Sequence, residues 1–142
     1  MTITSSDRMN DDYSWKPEYS VHIETIDRQH KALVGILREL QEAMWEGRGH
    51  AVQKSVLDRL AAYTHVHFRF EEEMLSEHGY ALLAEHAEQH RLLTKQVEEL
   101  QDRIQKGEAV SNASMMALLR SWLMGHIMVH DQKYARAFAN VK

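Results

Sequence analysis

Apolar residues recur along the chain at intervals of three and four positions, the spacing that places them on one face of an α-helix. Four such stretches run from about 25 to 45, 51 to 78, 82 to 106, and from 111 or 112 to about 139. The third forms a regular seam of a helical bundle between Leu83 and Ile104. Four helices of roughly 21 to 28 residues joined by short loops predict an all-α fold, an up-down-up-down antiparallel four-helix bundle.

The ends of the predicted helices carry turn-forming and capping residues. Each of the three loops contains a glycine that favours a helix end: Gly47, Gly79 and Gly107. We expect Thr25 to cap the first helix and either Ser111 or Asn112 to cap the fourth, with Asp27 favoured in the first turn by the helix dipole. The prediction is one domain over 1–142, with an N-terminal arm at 1–20 and the bundle at about 22–139.

Composition excludes several classes of function. The 142 residues carry 21 acidic and 17 basic side chains, a net charge of -4, which argues against a nucleic-acid partner. Cysteine is absent, so thiolate metal sites, iron–sulfur clusters and disulfides are excluded. No apolar run approaches the ~20 residues of a membrane span. Residues 1–12 are polar and lack the apolar core of a signal peptide, so we expect a cytoplasmic protein.

Histidine is the unusual feature, with ten in the chain. All four predicted helices carry histidine, and the second also carries a glutamate, on the stripe where a bundle core has leucine. A buried imidazole or carboxylate without a partner is unfavourable. With a rise of about 1.5 Å per residue and alternating helix directions, seven residues fall in one layer in one half of the bundle. These are His30, His67, Glu71, His86, His90, His126 and Asp131.

The spacing of these residues suits metal ions. His67 and Glu71 are four residues apart, as are His86 and His90, so each pair projects from one face of its helix. Imidazoles favour iron, copper or zinc, and carboxylates can bridge two cations. Seven ligands exceed the four of a tetrahedral zinc site, whereas two metals sharing Glu71 and a second carboxylate fit. No histidine follows a glutamate by three positions, which excludes the ferritin-like Glu-x-x-His pattern.

The residue that joins His126 in the site is either His130 or Asp131. On an ideal helix of 3.6 residues per turn, the residue four after His126 lies near the same face and the residue five after it does not. That spacing favours His130 over Asp131.

Several motifs closely resemble the hemerythrin family. They are Asp27-Arg28-Gln29-His30-Lys31, residues 67–72, the pair His86-x-x-x-His90 and residues 122–131. Residues 15–21 are similar to the opening of single-domain bacterial hemerythrins, and the resemblance spans about Trp15 to Tyr134. It implies a centre of two non-haem iron ions that binds O2 reversibly.

The resemblance also implies which residue holds which iron. His30 and His67 would hold one iron, and His86, His90 and His126 the other. Glu71 and Asp131 would bridge the two, with a solvent-derived oxygen as the third bridge. Asp131 then stands where ideal helix geometry favours His130. A widened π-type turn, eased by Gly125, would reconcile the two, because it adds one residue to the turn.

The remaining candidates are interpreted as structural. We expect His130 to flank the site and four histidines to bind no metal: His22, His50, His65 and His78. Glu72 and Glu73 are expected to form a solvated face. Large side chains near the site are interpreted as core, namely Trp15, Phe68, Met74, Trp122 and Met128. An alternative role for Trp15 is to fold the arm over the bundle end and help to exclude water.

The resemblance implies an O2-binding protein that is not itself an enzyme. Its role would be oxygen storage, transport or delivery to an oxygen-consuming partner enzyme, and we expect a monomer. Two alternatives stay open: a di-iron peroxidase or NO-handling enzyme on the same fold, and a stand-alone O2 sensor.

Overall fold

Residues 15–139 are described by a computed structural model of the chain, and they confirm the all-α four-helix bundle. The predictions for residues 1–14 and for the Met128 side chain lie outside the described part. The helices are α1 (Glu24–Trp45), α2 (Gly49–Glu77), α3 (Leu83–Gln105), α4 (Asn112–Gly125) and α5 (Gln132–Ala139). A π-helical segment, His126–Asp131, joins α4 to α5, so the three together form the fourth rod of the bundle.

The helix ends differ from the predicted ones by at most two residues, and one predicted cap is wrong. Helix α1 begins at Glu24 after Ile23, and Thr25 lies inside it. Asp27 fastens the arm instead, because its carboxylate accepts hydrogen bonds from Ser20 Oγ (2.6 Å) and the Val21 amide (2.8 Å). The Asp27 amide donates a hydrogen bond to the Ile23 carbonyl at 2.9 Å, so the first helical turn already starts before Thr25.

The other signals at the helix ends are confirmed. Ser111 caps α4 by accepting a hydrogen bond from the Ser114 amide at 3.0 Å. The three loop glycines have φ angles of +77°, +65° and +81° at Gly47, Gly79 and Gly107. A left-handed residue directly after a helix is the usual way to end it, and glycine adopts that conformation without strain.

The arm crosses from α1 to the fourth rod. The Gln132 side-chain amide faces the carbonyls of Tyr19 (3.4 Å) and Ser20 (3.2 Å). Trp15 is half-buried, with its ring edge-on to Tyr19 at 5.6 Å and the Lys31 ammonium 5.4 Å from its centre. The arm is therefore held both by α1 and by the residue that follows Asp131.

The apolar core is divided into two clusters by a polar layer. The larger cluster includes Leu33 on α1 and Phe68 on α2, and the smaller one includes Ile26 on α1 and Leu75 on α2. On α1 His30 falls between these two positions, and on α2 Glu71 does, while His67 lies next to Phe68. The core thus encloses the histidines and carboxylates from both ends.

At the opposite end of the bundle, Gln53 ties α2 to the loop before α4. This buried side chain donates hydrogen bonds from Nε2 to the Val110 carbonyl (3.0 Å) and to Asn112 Oδ1 (2.7 Å). Gly49 lets Asn112 approach, since a Cβ atom there would lie 2.5 Å from the Asn112 amide nitrogen. Within residues 15–139, none of the helices is long and apolar enough to cross a membrane.

Gln53→Ala is expected to lower the free energy of unfolding by about 1–3 kcal/mol, because it strands the buried Val110 carbonyl and the Asn112 side chain. Urea denaturation measures this, with the exposed Gln96→Ala on α3 as the control. Residue 53 lies about 27 Å along α2 from Glu71 at the helical rise per residue, so the metal content should not change. Equal stability of the two variants would show that these hydrogen bonds contribute nothing.

Candidate metal centre

The seven residues predicted from the sequence lie together in the polar layer. Every one of them is buried, and Glu71, His30 and Asp131 have no exposed surface. Helix α1 supplies His30, α2 supplies His67 and Glu71, α3 supplies His86 and His90, and the π-helical segment supplies His126 and Asp131. Every helical rod of the bundle therefore contributes to one cluster.

Three histidines gather on one side of the cluster, and we call them the three-His group: His86, His90 and His126. The Nε2 atoms of His86 and His90 lie 2.5 and 3.0 Å from Glu71 Oε1. Those of His86 and His126 each lie 3.1 Å from Asp131 Oδ1. The two nitrogens Nε2 of His90 and His126 are 3.2 Å apart, so the three rings point toward a common volume.

The other two histidines form the two-His group: His30 and His67. Nε2 of His30 lies 2.9 Å from Asp131 Oδ2 and 3.7 Å from Glu71 Oε2. Nε2 of His67 lies 3.5 Å from the same Glu71 oxygen. The rings meet edge to face with their centres 4.8 Å apart.

Each carboxylate divides its two oxygens between the groups. Glu71 turns Oε1 toward the three-His group and Oε2 toward the two-His group. Asp131 does the same with Oδ1 and Oδ2. The result is two sets of candidate ligand atoms that share both carboxylates, one of five residues and one of four.

The π-helical segment brings Asp131 into the cluster. It lies five positions after His126, and the backbone hydrogen bonds of a π-helix span five positions rather than four. Both side chains therefore lie on the inner face, while His130 is half-buried with its ring centre 6.1 Å from that of His126. The predicted widened turn is confirmed, and ideal α-helical spacing is the wrong guide here.

Burial and the two carboxylates set the charge of the histidines. Burial lowers the pKa of His67 to about 4, which keeps its ring neutral. Burial also opposes protonation of His30 and His86, but Asp131 and Glu71 outweigh it and raise the pKa of each ring to about 9. The paired carboxylates thus draw positive charge into the layer.

Several buried atoms of the cluster find no hydrogen-bond partner of suitable geometry among residues 15–139. They are Nε2 of His30 and His67, Nδ1 of His30 and His126, and both oxygens of Asp131. A buried carboxylate without compensation is strongly unfavourable, and a bound cation removes the penalty. Two ligand atoms on opposite sides of one metal lie twice the metal–nitrogen distance of about 2.1 Å apart. Within each set the ligand atoms lie within 4.8 Å of one another, which is close to that separation. The residues fit two metal cations.

Two of the rings are oriented through their second nitrogen. Nδ1–H of His67 donates to Gln29 Oε1 at 2.5 Å, and Nδ1–H of His90 donates to Glu72 Oε2 at 2.9 Å. Both bonds leave Nε2 free to face the cluster. The predicted solvated face is therefore wrong for Glu72, whereas Glu73 is exposed.

Tyr134 has a role that the sequence pattern did not reveal. Its hydroxyl donates a hydrogen bond to Glu71 Oε2 at 3.0 Å, and its side chain is fully buried. Burial and the neighbouring carboxylates raise its pKa, so the hydroxyl keeps its proton. The position fits the apolar stripe of the fourth helix, and the stripe alone cannot distinguish a tyrosine that packs from one that also binds a carboxylate.

The remaining histidines lie away from the cluster. Four are exposed on the surface of the bundle: His22, His50, His65 and His78. Phe68 packs its ring parallel to that of His90, with centres 3.8 Å apart, and Trp122 donates a hydrogen bond to the Leu93 carbonyl at 2.9 Å. These aromatic residues are buried around the three-His group.

Residues 21–138 match the family model described as the hemerythrin HHE cation binding domain. This chain belongs to the hemerythrin family. The matched region contains all seven residues of the cluster.

Curated relatives agree with this assignment. The chain is 36% identical over 121 residues to a bacteriohemerythrin of Stenotrophomonas maltophilia (strain R551-3), covering 85% of this chain and 78% of the relative. It is 31% identical over 117 residues to a bacteriohemerythrin of Methylococcus capsulatus, covering 82% and 88%. A crystal structure of a leucine-to-phenylalanine mutant matches with a TM-score of 0.76 and 28% identity, covering 86% of this chain and 93% of that one.

Asp131→Asn is expected to reduce the metal content of this hemerythrin severely. The amide is a poor neutral ligand and removes one of the two buried negative charges that favour cations. His130→Ala should retain the full metal content, because that ring lies outside both sets of ligand atoms. Elemental analysis of the two purified variants tests the pair. Full metal content in Asp131→Asn together with metal loss in His130→Ala would contradict the assignment.

Proposed function

We propose that this hemerythrin binds O2 reversibly at a centre of two non-haem iron ions. His30 and His67 would hold one iron, and His86, His90 and His126 the other, with Glu71 and Asp131 bridging both. The function would be storage, transport or delivery of oxygen to an oxygen-consuming enzyme. We propose the monomer as the working unit, since one chain supplies all seven candidate ligands.

One observation carries the proposal: both buried carboxylates divide their oxygens between the two histidine groups. Glu71 Oε1 lies 3.0 Å from His90 Nε2, and its Oε2 lies 3.5 Å from His67 Nε2. A carboxylate serving one metal would not need a histidine group beside each oxygen. The donor set of imidazoles and carboxylates is also one that suits iron.

The unequal ligand sets support a site for O2 on the two-His side. Four residues converge there, against five on the other side. A metal with fewer protein ligands keeps a position open for a small molecule, which separates a reactive site from a closed structural one. The iron near His30 and His67 would therefore be the one that O2 reaches.

The surroundings suit a buried, charged centre. Two ferrous ions carry four positive charges, of which the two carboxylates neutralise two while the imidazoles add donors without charge. Ferrous iron supplies the electrons that O2 binding requires and that side chains lack. The chain's own contribution is to exclude water: all seven residues are buried between two apolar clusters.

The polar groups beside the cluster favour O2 binding over the turnover of peroxide. Turnover of peroxide needs a group that delivers protons to the bound molecule. The Tyr134 hydroxyl is already engaged with Glu71, and the Glu72 carboxylate with His90. Both of these polar groups are thus engaged in orienting residues of the cluster.

Metal analysis and visible spectroscopy test the function directly. Protein expressed with ample iron should contain two irons per chain and show a visible charge-transfer band that appears in air and disappears when O2 is removed. Slow oxidation of the oxygenated protein would support a binding role. One zinc ion per chain, or rapid turnover with peroxide or NO, would contradict the proposal.

His30→Ala and His126→Ala are expected to differ in iron content and in the visible spectrum in air. The first leaves the two-His position with one imidazole, so it should lose that iron and the oxygen-dependent band. The second leaves two imidazoles on its side, so part of the di-iron content should persist with an altered spectrum. Iron content and air-equilibrated spectra are the measurements, with His65→Ala as an exposed histidine control. Identical results for the two ligand variants would refute the assignment to separate irons.

A further inference from the structure

We propose that Glu72 and Gln29 are positioning residues that make the two metal positions unequal in affinity. Glu72 gives the three-His position a charged hydrogen-bond acceptor, and Gln29 gives the two-His position a neutral one. The inference rests on the proposed two-metal centre and concerns the order in which its positions fill and empty.

Glu72 acts on the three-His group through His90. It follows Glu71 on α2 but points toward α3, where its Oε2 lies 2.9 Å from His90 Nδ1. The parallel ring of Phe68 holds the plane of the imidazole at a centre distance of 3.8 Å and an angle of 6°. With the plane and the Nδ1 direction both fixed, Nε2 faces Glu71 Oε1 at 3.0 Å.

Gln29 acts in the same way on the two-His group. It precedes His30 on α1, is half-buried, and accepts a hydrogen bond from His67 Nδ1 at 2.5 Å. The amide oxygen orients the ring as a carboxylate would, but it carries no net charge. His67 and His90 are therefore oriented in the same way, through Nδ1, but by acceptors of different charge.

The other Nδ1 atoms show that this arrangement is selective. Nδ1 of His30 and Nδ1 of His126 are buried and have no hydrogen-bond partner among the described residues. The two groups thus each contain a ring whose Nδ1 meets an acceptor and a buried ring whose Nδ1 meets none. The two acceptors differ in charge.

A carboxylate acceptor strengthens the ligand that it orients. A charge-assisted hydrogen bond shifts electron density toward the other ring nitrogen and makes it a better donor to a metal. The effect adds to the larger ligand set of five residues against four. The three-His position is then the first to fill, and the two-His position is the one that exchanges its metal.

The test is calorimetric titration of metal-free protein with ferrous iron in the absence of oxygen. The wild-type protein should bind two ions in two distinguishable steps. Glu72→Gln keeps an oxygen acceptor but removes the charge, so the tighter step should weaken about 10- to 100-fold while the weaker step stays unchanged. Gln29→Glu adds the charge on the other side and should tighten the weaker step.

Glu73→Gln is the matched control. Glu73 is the next carboxylate along α2, is exposed, and pairs with Arg69 at 3.3 Å, so its variant should titrate like the wild type. A spectroscopic readout separates positioning from stability: in zinc-loaded protein, the proton NMR signal of His90 Nδ1–H should move upfield in Glu72→Gln. Helical content and melting temperature should stay the same.

The outcomes distinguish this inference from the proposed function. Two wild-type steps with Glu72→Gln indistinguishable from Glu73→Gln would overturn the positioning role and leave the two-metal centre intact. Uptake of fewer than two ferrous ions by the wild-type protein would overturn both. Tightening of the weaker step in Gln29→Glu would support the charge argument, and unchanged affinity in that variant would count against it.

Discussion

Two carboxylates buried side by side in one half of a helical bundle set the physical problem that the rest of the molecule solves. Glu71 and Asp131 have no exposed surface, and each raises the energy of the other's negative charge. Five imidazoles surround them. Each ring nitrogen that faces the carboxylates can either carry a proton or bind a cation. Without the imidazoles, burying two negative charges side by side would strongly destabilise the fold. With them, the same layer can hold cations.

The surrounding architecture follows from the need to enclose that layer. Each rod of the bundle exchanges one or two core positions for ligand atoms, and the apolar stripe continues on both sides. Hydrogen bonds outside the layer, from Tyr134 to Glu71 and from His90 to Glu72, then fix which way each ligand atom points. Packing encloses the centre, and this outer ring of polar contacts orients it.

Helical periodicity was enough to predict the bundle, its loops and the layer of the site, because apolar stripes and i,i+4 pairs register directly in the sequence. The choice of Asp131 over His130 depended on the family resemblance instead, since ideal helical spacing favours His130. Three further features could not be predicted from the sequence. Glu72 and Tyr134 make contacts between helices, and a stripe does not show which long side chain reaches across. Thr25 suits a helix cap, but the helix begins one residue earlier, at Glu24, and the Asp27 carboxylate binds the arm, a tertiary contact that local propensity does not show.

The π-helical segment between His126 and Asp131 has a consequence beyond the metal layer. One added residue rotates everything after it by about 100° relative to a continuous α-helix. Tyr134 and Gln132 therefore reach Glu71 and the arm in the register that the wide turn sets. Removing a single residue here would shorten the rod only slightly, yet it would unfasten the arm, the tyrosine and Asp131 together. The wide turn thus sets the register of the arm, of Tyr134 and of Asp131 at once, and a change of length between 126 and 131 would disturb residues well outside the metal layer.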